Sequence, residues 1–74
     1  MTIQESVNAV LDELGSARLK HPHWPADRIH AAAIVAEEAG ELVQSTLQTR
    51  YEFGDVEKEQ TEAIHTAATA LRFW

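Results

Sequence analysis

Cysteine is absent from the 74 residues, which excludes disulfides and thiolate metal sites as reinforcement and fits a reducing compartment such as the cytosol. Positive charge is scarce. Six Lys and Arg stand against twelve Asp and Glu, for a net charge of −6. Arg18, Lys20, Arg28, Arg50, Lys58 and Arg72 are scattered and form no basic stripe, so DNA or RNA is not an expected partner. No apolar run approaches the roughly 20 residues of a membrane span. Met1-Thr2-Ile3-Gln4-Glu5 lacks the basic stretch and apolar core of a signal peptide. Strand-type alternation, internal repeats and low-complexity tracts are missing too. These absences leave a cytoplasmic, all-α chain as the expectation.

A single domain of this length buries only about 60% of its unfolded surface. Without disulfides, a metal ion or an oligomer must supply the remaining stability. An acidic protein that handles phosphates needs a divalent cation between its carboxylates and the substrate.

Helical spacing predicts three helices, over about residues 3–19, 26–49 and 56–74. Thr2 with Glu5 three residues on reads as a capping box, and Ile3, Val7, Val10, Leu11 and Leu14 recur at helical intervals. His21-Pro22-His23-Trp24-Pro25 cannot continue that helix, because two prolines fall within four residues. Trp24 there either plugs the end of a bundle or walls a ligand pocket, where it could stack on a base while His residues donate hydrogen bonds. In the second helix Ile29, Ala33, Ala36, Val43 and Leu47 make an apolar stripe, widened by Val35, Ala39 and Leu42, and Asp27, His30, Ile34, Glu37, Glu38, Glu41, Ser45 and Gln48 occupy the other side. Gly54 can end that helix and Asp55 can cap the third. Val56, Ala63, Ile64, Ala67, Ala68, Leu71 and Trp74 form the third stripe. Leu71-Arg72-Phe73-Trp74 is strongly apolar and still in helical register. Either an oligomer covers this end, or the chain is shorter than its ancestral domain.

The acids carry the chemistry. Glu38 and Glu41 lie three apart and share a helix face; Glu59 with Glu62, or Glu62 with His65, repeats the spacing on the third helix. Antiparallel packing of the two helices could bring these pairs together. Four oxygen donors around one point suit Mg²⁺ or Mn²⁺, and a His donor shifts the preference toward Mn²⁺ or another transition metal. The same spacing is also common on plain solvated helices, where like charges cost only about 0.2–0.5 kcal/mol per pair.

Glu37-Glu38-Ala39-Gly40-Glu41-Leu42 resembles the EExxE motif of MazG-like, all-α nucleoside triphosphate pyrophosphatases. The flanking His30 to Ala36, the His21 to Pro25 loop and Glu62 to Ala68 are similar to short members of that family from phages and mobile elements. The likeness spans about residues 18–74. It implies Glu38 and Glu41 as the first metal pair, with Glu37 at its edge. The family's second motif, ExxD, has no counterpart with Asp here. Either Glu59 and Glu62 take the two places, or Glu62 and His65 do. The resemblance further implies that water attacks a phosphorus of a nucleoside triphosphate. A nucleoside monophosphate and pyrophosphate result, in a house-cleaning or nucleotide-pool role. Glu37 or Glu38 would orient the water, His23 and Trp24 would hold the base, and Lys20, Arg50 or Lys58 would meet the phosphates. Family members assemble as dimers or dimers of dimers, so a homodimer or homotetramer is expected. The competing reading is a non-catalytic helical oligomerisation or interaction module, one that could still bind nucleotide.

Overall fold

The computed structural model describes residues 2–74, and these form three helices and no strand. The first, α1, is Ile3–Lys20; α2 is Arg28–Tyr51; α3 is Val56–Phe73. Each begins where a short polar side chain takes up an amide that the first turn leaves free. Thr2 Oγ1 accepts from the Glu5 amide at 3.1 Å and donates to Glu5 Oε1 at 3.1 Å. Asp27 Oδ1 accepts from the Ile29 amide at 3.0 Å, and Asp55 Oδ1 from the Glu57 amide at 2.9 Å. Asp27 explains why α2 starts at Arg28 rather than at 26: its backbone is extended, with φ −69° and ψ 118°. Pro25 therefore lies before the first turn of α2.

The α2–α3 turn is closed by the Gly54 amide, which donates to the Gln48 carbonyl at 3.0 Å. Gly54 is required there for space. A Cβ on it would lie 2.5 Å from the Thr49 nitrogen and 2.7 Å from the Gln48 carbonyl carbon, both backbone atoms. The left-handed conformation falls instead on Phe53, at φ 45°.

Helix α3 is shared, packing against α2 on one side and α1 on the other. Arg28, at the start of α2, donates to the Phe73 carbonyl at 3.1 Å and lies 4.0 Å from the Phe73 ring centre. That contact sets α2 antiparallel to α3. Arg72, at the end of α3, donates to the carbonyls of His21 at 2.8 Å and Ala17 at 3.4 Å. It satisfies acceptors at the carboxyl end of α1 and sets α1 parallel to α3.

The main apolar stripe of α2 does not make the core, although Val35, Ala39 and Leu42, which widen it, are half-buried. On α2, Ile29, Ala33, Ala36, Gly40, Val43 and Leu47 are all exposed. The inward face carries Ala31, Ile34, Glu38, Leu42 and Ser45, of which Ala31 and Ser45 are buried. On α3 the stripe divides: Val56, Ala63, Leu71 and Trp74 are exposed, Ile64 and Ala67 are half-buried and Ala68 is buried, with Glu62, His65 and Thr69 half-buried beside them. Among the described residues the buried apolar side chains are only Ala31 and Ala68. On α2 this inversion puts an acidic seam inside and an apolar face outside.

Candidate metal centre

The seam lies where α2 crosses α3. One donor atom each of Glu38, Glu62 and His65 lies within 4.8 Å of the others, and all three side chains are half-buried. Glu62 is the most enclosed, its side chain 12% exposed, and its Oε2 lies 3.7 Å from His65 Nδ1. The other imidazole nitrogen, Nε2, is 3.5 Å from Glu13 Oε1 on α1. His65 is thus held between a carboxylate of its own helix and one of α1. Glu38 Oε2 and Glu62 Oε2 are both removed from solvent without a hydrogen-bond partner. Burial raises the Glu38 pKa above its ordinary value. The charges of Glu41, Glu62 and Glu37 push it further up, against the opposing pull of His65.

Two buried carboxylate oxygens with no donor between them are costly as anions. A divalent cation compensates such a pair, and two carboxylates with an imidazole are a donor set that accepts one. The residues present fit a metal. The imidazole suits Mn²⁺ better than Mg²⁺, since hard Mg²⁺ prefers an all-oxygen shell.

Of the candidate metal donors singled out from the sequence, Glu38, Glu62 and His65 come together. Glu41 is exposed one turn farther along α2, and Glu37 is exposed beside it. Three residues of helix turn a side chain by about 300°, so when Glu38 aims at α3 its partner Glu41 swings to the solvent edge. The same rotation puts Glu59 and His65 on opposite flanks of Glu62. His65 takes the flank facing α1. Glu59 is half-buried and outside the cluster.

A cleft of about 430 Å³ opens beside the cluster, between α1 and α2 with α3 as its floor. Glu38 and His65 line it together with Lys20, His23 and Trp24, so the three substrate-binding candidates border the same space as the acids. Arg50 and Lys58 are exposed and do not line it. Two cleft residues escape a reading of the sequence. Glu13 sits among polar residues of α1 with no motif around it. Arg72 lies in the apolar carboxyl-terminal run, yet its guanidinium is 4.8 Å from the Trp24 ring centre and fixes the loop through the His21 carbonyl. Only the parallel packing of α1 on α3 brings either one to the cleft.

No family model, curated protein or solved structure matches this chain. The likeness to MazG-like enzymes rests on the residues quoted above.

Proposed function

We propose that this chain is a metal-dependent nucleoside triphosphate pyrophosphohydrolase of MazG-like type, converting a (d)NTP and water to a (d)NMP and pyrophosphate. The carrying observation is the pair of buried, unpartnered oxygens on Glu38 and Glu62, facing His65 at the edge of a cleft walled by Trp24. Glu38, Glu62 and His65 would hold the ion, with Glu41 within one turn. A divalent cation bound there supplies charge neutralisation on phosphate oxygens.

The chain's own residues do the rest. Trp24, fixed by Arg72, offers a stacking wall for a base, and His23 and Lys20 border the path of the sugar and phosphates. A water oxygen bonds to the α-phosphorus, the bridging P–O bond to the β-phosphoryl breaks, and pyrophosphate leaves. The water proton passes to a carboxylate, Glu38 or its neighbour Glu37. The same reading takes the active form as a homo-oligomer.

The exposed apolar faces favour one competing reading, a non-catalytic helical interaction module. A panel of nucleoside triphosphates assayed for pyrophosphate release with Mg²⁺ and Mn²⁺ separates the two. Turnover is expected, and Glu62→Gln should abolish it while the helical circular dichroism is retained. Nucleotide binding or self-association without turnover across the panel would leave the interaction module as the function.

A further inference from the structure

We infer that Glu13 on α1 is the positioning residue for His65. Its carboxylate draws the ring proton to Nε2 and leaves Nδ1 unprotonated as the donor beside Glu62. The inference rests on the metal reading of this cluster and extends it, because the centre then depends on a third helix.

The two ring nitrogens of His65 meet different carboxylates. Nε2 lies 3.5 Å from Glu13 Oε1, at the outer limit of a hydrogen bond, and Nδ1 lies 3.7 Å from Glu62 Oε2, beyond it. A neutral imidazole carries one ring proton, and the nitrogen without it is the metal donor. A proton on Nδ1 would point toward Glu62 and occupy the lone pair that a cation needs. Glu62 Oε2 has no hydrogen-bond partner, although it is removed from solvent. The Glu62 side of the ring is thus the open one, and the Glu13 side has the closer acceptor. Metal-bound histidines commonly donate their other N–H to a carboxylate. That contact fixes the tautomer and the ring orientation and makes the donor nitrogen more basic.

Glu13 has no competing task. Among the described residues its only charge partner is His65. The contact is partly solvated, with the two side chains 34% and 36% exposed, so it contributes orientation more than stability. Glu13 and His65 together line both the cleft beside Trp24 and a shallower depression shared with Asp12, Ser16 and Thr61. The pair is the partition between these two spaces. An imidazole turns easily about its second side-chain torsion, and without Glu13 it has space on either side. Arg72 holds the Ala17 carbonyl, one turn beyond Glu13, at 3.4 Å. That bond sets where Glu13 stands along α3.

The tautomer is read directly by ¹⁵N NMR of the full chain, free of metal, in alkaline buffer where the imidazole is neutral. Wild type is expected in the Nε2–H form. Glu13→Leu should raise the Nδ1–H population, because Glu62 is then the acceptor left beside the ring. Glu13→Gln should restore the Nε2–H form through its side-chain carbonyl. Calorimetric titration with Mn²⁺ should follow the same order, with binding about 10- to 100-fold weaker in Glu13→Leu and most of it recovered in Glu13→Gln. Asp12→Asn removes the same charge from the neighbouring position and should leave the affinity nearly unchanged. A wild-type ring in the Nδ1–H form overturns the proposal, and that measurement needs no variant to fold. So does a Glu13→Leu protein with unchanged tautomer and affinity, or an affinity loss as large in Glu13→Gln or Asp12→Asn. Tautomers as expected in a wild type that binds no Mn²⁺ would uphold the hold of Glu13 on the ring and remove the metal reading instead.

Discussion

Glu38 is the residue on which the interior turns. Burial first, and then the charge of Glu41, make its ionised form costly in the folded chain. A carboxyl whose folded pKa is raised holds its proton more tightly folded than unfolded. The stability it lends as a neutral acid is therefore full below the unfolded value, near 4.5, and is lost as pH rises through the folded value. Glu38→Gln keeps the shape and removes that loss. In chelator at pH 7 the variant should melt higher than wild type. Thermal melts across pH 4 to 7 check it: the wild-type midpoint should fall on going up through that window, and the variant's should fall less. A wild type whose midpoint climbs steadily with pH would show that Glu38 is not held as described.

At the scale of the element, the α2–α3 connection has no room for a side chain at Gly54. Gly54→Ala would force a methyl onto the Thr49 and Gln48 backbone, which cannot move aside as a side chain can. The expected cost is about 1–3 kcal/mol, read as a lower urea midpoint with an unchanged slope. Gly15→Ala on α1 meets nothing within 4 Å and should be neutral or stabilising, since alanine is the better helix former. The starts of α1 and α3 were legible beforehand, because Thr2 and Asp55 are local signals read by amides two or three residues away; the Asp27 cap of α2 was not. The need for Gly54 was legible as punctuation, whereas its reason was not: the turn is tight through space, and Phe53 carries the positive φ. The faces of α2 and α3 were the hard part. Periodicity shows that Ile29, Ala33 and Ala36 share a side; it does not say whether that side meets this chain or another. Ile34, apolar among acids, was the one local hint that the Glu38 side turns inward.

For the whole molecule, an acidic seam and bare apolar faces make stability depend on what binds. A cation held by the folded chain and not by the unfolded one raises stability by about 2.7 kcal/mol at a hundred times its Kd. Mn²⁺ should therefore raise the melting temperature, EDTA should reverse the gain, and Glu62→Gln should remove it. Mg²⁺ at the same concentration should do less, because His65 is a poor ligand for it. An equal response to both ions, or none, would count against the imidazole as a donor. Among the described residues no helix is long and apolar enough to cross a membrane.

By itself the sequence determined the three helices, the caps Thr2 and Asp55, the broken loop at Pro22 and Pro25, and the presence of acids three apart on two of the helices. Those features depend on neighbours within a turn, where residue type and spacing are enough. Only the tertiary structure decided which acids meet. Placing α3 between α1 and α2 brought Glu38 to Glu62 and His65, left Glu59 and Glu41 aside, and delivered Glu13 and Arg72 from distant stretches to one cleft. A rotation of about 100° per residue decides whether a side chain points at a neighbour or at solvent. That rotation is fixed by packing between helices, which no local pattern in the chain specifies.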